Sequence, residues 1–129
     1  MLFKFQKHLS ENLPFLREKK LLLAISGGLD SIVLAQMLKQ SGYAISLAHC
    51  NFNLRGNESE DDEQFIRSFA SENNLELFVT HFDTNRFAQD NKLSIQVAAR
   101  QLRYIWFHQL LEENHLDFIL TAHHLDDNL

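Results

Sequence analysis

Leu21-Leu22-Leu23-Ala24-Ile25-Ser26-Gly27-Gly28-Leu29-Asp30-Ser31 joins a continuous apolar run to a glycine pair and then to a stretch of helical period. The run Leu21–Ile25 is the pattern of a strand buried on both faces. Ile32, Val33, Ala35 and Leu38 give residues 30–40 the apolar surface of a helix, and Gly42 suits its C-terminal end. Between strand and helix, two glycines permit unusual backbone torsions and let amides approach an anion with no Cβ in the way. Backbone N–H groups at a helix start, reinforced by the helix dipole, favour a phosphate. The hydroxyls of Ser26 and Ser31 add donors. Asp30 repels bare phosphate, so a functional role for it implies a bridging Mg2+. A plainer reading stays open, in which Asp30 or Ser31 simply caps the helix. Neither a Walker A lysine nor the dinucleotide-binding G-x-G-x-x-G pattern is present.

Working outward, residues 2–12 read as a short helix and Ala44–Ala48 as a second strand. His49–Asn57 reads as a loop. A helix is expected from Ser59 to about Asn73, with an acidic first turn that suits the positive end of its dipole and an apolar face of Phe65, Ile66, Phe69 and Ala70. Leu75–Thr80 reads as a third strand. The periodicity is strongest over Ser94–Glu113, where Ile95, Ala99, Leu102, Trp106 and Leu110 form one helical stripe. Asp117–Thr121 reads as a fourth strand. This β-α-β-α-β-α-β order predicts an α/β fold, a parallel sheet with helices on both faces. Ligands of such sheets bind beyond the carboxyl ends of the strands.

The 129 residues suffice for one domain with a real core, and 45% hydrophobic against 22% charged content is ordinary for a soluble globular chain. No apolar run approaches the roughly 18 residues of a membrane span. Lys4, Lys7, His8 and Glu11 interrupt the start, which therefore lacks the apolar core of a signal peptide. Cys50 is the single cysteine; it excludes an intrachain disulfide and a multi-cysteine metal site, and fits a cytoplasmic location. The net charge of −5 argues weakly against nucleic-acid binding. Much of it lies in one cluster, Glu58, Glu60, Asp61, Asp62 and Glu63, which leaves Arg100 and Arg103 free to form a local positive site.

Ser26-Gly27-Gly28-Leu29-Asp30-Ser31 after a strand resembles the PP-loop of the ATP pyrophosphatases. Three further stretches are similar to the lysidine synthases within that family. They are His49-Cys50-Asn51-Phe52-Asn53-Leu54-Arg55-Gly56-Asn57-Glu58-Ser59-Glu60, Ala98-Ala99-Arg100-Gln101-Leu102-Arg103-Tyr104, and Ala122-His123-His124-Leu125-Asp126-Asp127-Asn128. The resemblance covers residues 20–129 and implies a Rossmann-like sheet of the adenine nucleotide alpha hydrolase type, with ATP at its C-terminal edge. It implies cleavage of ATP between the α- and β-phosphates, with Mg2+ organised by Asp30 and the phosphates. Residues 26–31 would hold ATP. The implied substrates are an isoleucine tRNA with a CAU anticodon, modified at its wobble cytidine, and free L-lysine. The ε-amine of lysine, with an ordinary pKa of about 10.4, must shed a proton before it attacks; Asp126 and His123 are the candidates to take it or to orient the amine.

Other readings stay open beside these. His49, Asn51 and Arg55 can bind substrate or simply fix a loop. Arg100 and Arg103 can hold phosphates or pair with surface carboxylates. His123, Asp126 and Asp127 can form a site or the start of a helix. Most phenylalanines, including Phe65, Phe69, Phe107 and Phe118, are expected in the core. A tRNA thiolase or a nucleotide-binding module without ligase chemistry remains an alternative, although thiolases generally carry more cysteines. The family's third motif normally continues past the last residue, so the chain is expected to be a truncated N-terminal ATP-binding domain. Such a domain alone is expected to be inactive in lysidine formation and, with apolar faces exposed, prone to form homo-oligomers.

Overall fold

The computed structural model describes residues 14–121, together with Lys7 and Glu11. The expected 2–12 helix lies outside the described residues except at those two positions, both helical. Pro14–Glu18 form a 3-10 turn that seats Leu16 in the core. Four strands follow: β1 (Lys20–Ala24), β2 (Ala44–Asn51), β3 (Leu77–His81) and β4 (Phe118–Leu120). Helix α1 (Leu29–Gln40) joins β1 to β2, and α2 (Asn57–Glu72) joins β2 to β3. Two helices, α3 (Thr84–Asp90) and α4 (Ile95–Glu113), span the crossover to β4.

The sheet is parallel throughout, in the order β3-β2-β1-β4. Alternation along β1 divides the core. Leu21, Leu23 and Ile25 point to the face covered by α1 and α2, where they meet Leu34, Ala35, Leu38, Ile66 and Phe69. Leu22 points to the opposite face, against Phe107 and Leu110 of α4. Helices therefore cover both faces, as the period-2 and period-3.6 patterns predict. The chain passes to one side of β1 for β2 and β3 and then crosses to the other side for β4. The carboxyl ends of β1 and β4 thus flank the point where the strand order reverses, the usual crevice for a ligand.

Several expectations are revised. β2 runs to Asn51, so His49, Cys50 and Asn51 belong to a strand and not to a loop, and Asn57 already lies in α2. Phe65 is 53% exposed and Phe118 39% exposed, whereas Phe69 and Phe107 are buried. The buried stripe of α2 is Glu63, Ile66, Phe69 and Ala70, which turns Phe65 outward. The α4 stripe is rotated in the same way: Ala98, Phe107 and Leu110 are buried, and Ile95 is exposed. α3 is an additional helix, capped by the Asp83 side chain, which accepts from the Arg86 N–H.

Candidate functional site

The chain leaves β1 through Ile25, whose N–H donates to the Ala48 carbonyl at 2.9 Å, and turns at residues 26–28 into α1. The turn is held from within. Ser31 is buried, and its hydroxyl donates to the Ser26 carbonyl at 2.9 Å and approaches the Gly28 carbonyl at 3.1 Å. The Ser26 N–H donates to Ser31 Oγ, and the Gly28 N–H donates to Ser26 Oγ at 3.2 Å. The two hydroxyls expected to face a phosphate therefore brace the loop.

The N-cap of α1 is Gly28, and no side chain caps the helix. This corrects the capping reading for both Asp30 and Ser31. Asp30 stands exposed in the first turn. The first-turn amides of α1 have no i−4 partner within the helix, so the positive end of the dipole faces outward beyond β1, as an anion site requires.

The two glycines are not used for unusual torsions. Gly42 and Gly56 are the glycines with positive φ among the described residues, and Gly28 has φ −74° and ψ 149°. Gly27 is needed for close approach. A Cβ placed on it would lie 2.5 Å from Asp62 Oδ1 and 2.7 Å from Asp62 Cγ. Asp62 projects from the second turn of α2 and was legible in the sequence only as one member of an acidic cluster. Its spacing from Ser59, three residues earlier, puts both on the helix face that looks toward the loop.

A cleft of about 600 Å3 opens between this loop, the end of β2 and the start of α2. His49 and Asn51 both line it, and both are held by hydrogen bonds within the protein. His49 is buried, and its Nδ1–H donates to the Ile25 carbonyl at 2.9 Å, which ties β2 to the exit of β1. The Asn51 amide donates to Glu63 Oε1 at 3.2 Å, and its Oδ1 accepts from the Asn53 N–H at 3.0 Å. Arg55 lines the wall and pairs with Asp62 at 3.1 Å and with Glu58 at 3.6 Å.

Behind Asn51, Glu63 is a buried carboxylate that also accepts from Arg67 Nε at 3.0 Å and pairs with His81 Nε2 at 2.6 Å. Burial works to raise its pKa. The hydrogen bonds from Asn51, Arg67 and His81, with the charge of His81, outweigh burial and hold the carboxyl below its ordinary value.

A second hollow of about 230 Å3 adjoins the first behind Ser26, His49 and Cys50 and reaches Arg103, Phe107 and Thr121. The two arginines of α4 part company here. Arg100 is exposed; Arg103 is half-buried, and its Nε has no hydrogen-bond partner among the described residues. Both guanidiniums lie near the Tyr104 ring, at 5.8 Å and 5.2 Å from its centroid. Burial pushes the Cys50 thiol up to about 12, against a smaller opposing pull from Arg103. Cys50 thus stays a thiol at neutral pH and is a poor nucleophile. Phe52, Leu54 and Asp62 line the cleft and are additional to the expected site residues. His123, Asp126 and Asp127 lie outside the described residues.

The family model of the PP-loop domain matches residues 1–129. The chain is similar to the tRNA(Ile)-lysidine synthase of Bacteroides thetaiotaomicron, with 45% identity over 115 residues, covering 89% of this chain and 27% of that protein. It is 34% identical over 128 residues to the tRNA(Ile)-lysidine synthase of Petrotoga mobilis, covering 96% of this chain and 41% of that protein. The chain therefore spans between about a quarter and two fifths of the length of these relatives. Among solved structures, the NMN synthetase of Francisella tularensis superposes with a TM-score of 0.69 at 14% identity, over 91% of this chain and 51% of that one. The NH3-dependent NAD synthetase of Campylobacter jejuni gives 0.64 at 14% identity, over 91% and 52%. At that identity the likeness speaks to the fold alone.

Proposed function

The chain belongs to the PP-loop domain family, and from this premise we propose that it is the ATP-binding part of a tRNA(Ile)-lysidine synthase. The observation that carries the reading is the uncapped start of α1, set at the carboxyl end of β1 and opening on the cleft. The 45% identity to a relative of that name supports the choice of reaction. In the proposed reaction, the C2 oxygen of the wobble cytidine of a CAU-anticodon isoleucine tRNA attacks the α-phosphate of ATP. Pyrophosphate leaves. The ε-amine of lysine then adds at the adenylated carbon, and AMP departs with the oxygen.

Each part of the site has a task in this scheme. The amides of the first turn of α1 and its dipole stabilise phosphate charge. Ser26 and Ser31 keep those amides aimed by bracing the turn. Asp30 and Asp62 offer the oxygen donors that suit Mg2+, which would supply charge neutralisation on the phosphates. Among the described residues no group of three or more His, Cys, Asp or Glu could hold a metal by itself. Arg55, Arg100, Arg103 and Asp127 are the proposed substrate or phosphate contacts, and His123 and Asp126 the groups proposed to take the proton of the lysine amine or to orient it. His49 and Asn51 act by positioning. Within residues 1–129 the one cysteine, Cys50, has its thiol pushed up by burial, which makes it a poor sulfur carrier in this part of the chain.

The test is an assay of the full-length protein for AMP and pyrophosphate, with tRNA and lysine omitted in turn. Lysidine chemistry requires pyrophosphate release to depend on tRNA, and stable product to depend on lysine. Turnover that depends on a sulfur donor instead would replace this reading with the thiolase one.

A further inference from the structure

Asp62 lies against residues 26–31, the loop proposed to receive phosphate. Its carboxylate occupies the space that a side chain on Gly27 would fill. Arg55, the one lysine or arginine among the described residues lining the cleft, is already engaged: Nη2 meets Asp62 at 3.1 Å and Nη1 meets Glu58 at 3.6 Å. The Arg55 N–H donates to Ser59 Oγ at 3.3 Å, which draws the backbone beside that pair toward α2. A bare phosphate entering the cleft therefore meets amides and a helix dipole on one side. On the other it meets a carboxylate whose guanidinium partner is shared with a second carboxylate. A phosphate carrying a divalent cation meets a different surface: the cation cancels the repulsion, and carboxylate oxygens are the donors such a cation prefers.

We infer that Asp62 makes this site discriminate between phosphate that arrives with a divalent cation and phosphate that arrives bare. The inference rests on the reading of residues 26–31 as a phosphate loop. It assigns Asp62 a selective role that the loop sequence does not contain, and it makes Arg55 the group that sets how strongly Asp62 repels.

The experiment is calorimetric titration of the protein with ATP, once in excess Mg2+ and once in EDTA. Circular dichroism checks that each variant is folded. The wild-type protein should bind much more tightly with Mg2+. Asp62→Asn should raise affinity in EDTA about fivefold or more, the effect of one carboxylate near an anion. It should leave Mg2+-ATP affinity equal or weaker, so the preference for metal collapses. Arg55→Gln, which leaves Asp62 uncompensated, should widen the preference. Both effects should shrink in 1 M salt, where screening acts within about 3 Å. If Asp62→Asn leaves the preference unchanged, or Arg55→Gln narrows it, the inference is overturned while the phosphate loop stands. If the wild-type protein binds no ATP in Mg2+, the phosphate-loop reading falls and takes this inference with it.

Discussion

A methyl group on Gly27 would press into Asp62, so Gly27→Ala forces that side chain off the loop and breaks its pairing with Arg55. Overpacking of this kind costs about 1–3 kcal/mol. Combining Gly27→Ala with Asp62→Ala should recover part of the loss in urea denaturation, since only the Cβ of residue 62, at 3.2 Å, would remain close. No recovery would mean that the clash does not set the cost. Asp30 is exposed and caps nothing, so Asp30→Ala should leave the melting temperature within a degree or two and lower ATP-dependent pyrophosphate release at least about tenfold. Unchanged turnover would remove Asp30 from the site. Glu63 gives a pH signature. Its folded pKa is lowered from 4.5, so its stabilisation is complete above that value and is lost as pH falls through the lower folded value. Glu63→Gln should therefore flatten the fall in stability on the acid side of pH 4.5. An equally steep fall in the variant would assign the acid transition to other carboxylates.

The helices end by a rule that is plain once the structure is known. Asn73, Asn91 and Asn114 close α2, α3 and α4, and each side-chain amide donates to the carbonyl four residues earlier, at 2.8, 2.9 and 3.0 Å. The next residue turns left-handed in each case: Asn74, Lys92 and His115, with φ near 54°. A leucine then docks back, with the N–H of Leu75, Leu93 and Leu116 bonded to carbonyls five residues earlier. Lysine carries a penalty there that glycine avoids. Lys92→Gly should raise stability by up to about 1 kcal/mol by thermal denaturation, and a decrease would show that the lysine stem packs usefully.

At this scale the sequence was informative wherever a pattern repeats. β1 and the length of α4 were legible because an unbroken apolar run and a 19-residue amphipathic period are hard to mistake. The tail of β2 was not, because Asn51 is a polar residue buried by its bond to Glu63, a partner that only the tertiary fold supplies. Arg100 and Arg103 looked equivalent in the sequence, but one faces solvent and the other the hollow behind Cys50. Arg103→Ala should accordingly weaken nucleotide or tRNA binding more than Arg100→Ala, and equal losses would point to a diffuse electrostatic role for both.

Over the whole molecule the charge is divided. The acidic cluster opens α2 on one face of the sheet, and the first four turns of α4 on the other face carry Arg100 and Arg103 with no acidic residue. With a net charge of −5, residues 1–129 alone should hold tRNA weakly, with affinity falling as salt rises from 50 to 200 mM. Tight, salt-insensitive binding in a filter assay would show that shape outweighs charge. The sheet order has a further consequence. β1, β2 and β3 are neighbours in sequence and in space, but β4 pairs with β1 across the entire chain, where the Lys20 N–H donates to Asp117 Oδ2 at 2.8 Å. Local pairings form early and distant ones late, because each long loop must be closed first. On the ribosome, the phosphate loop and its Asp62 wall emerge and can assemble as one unit. The hollow behind Cys50 gains its Thr121 side only when β4 arrives, so the nascent chain passes through a stage that holds the loop and its cleft without that hollow complete.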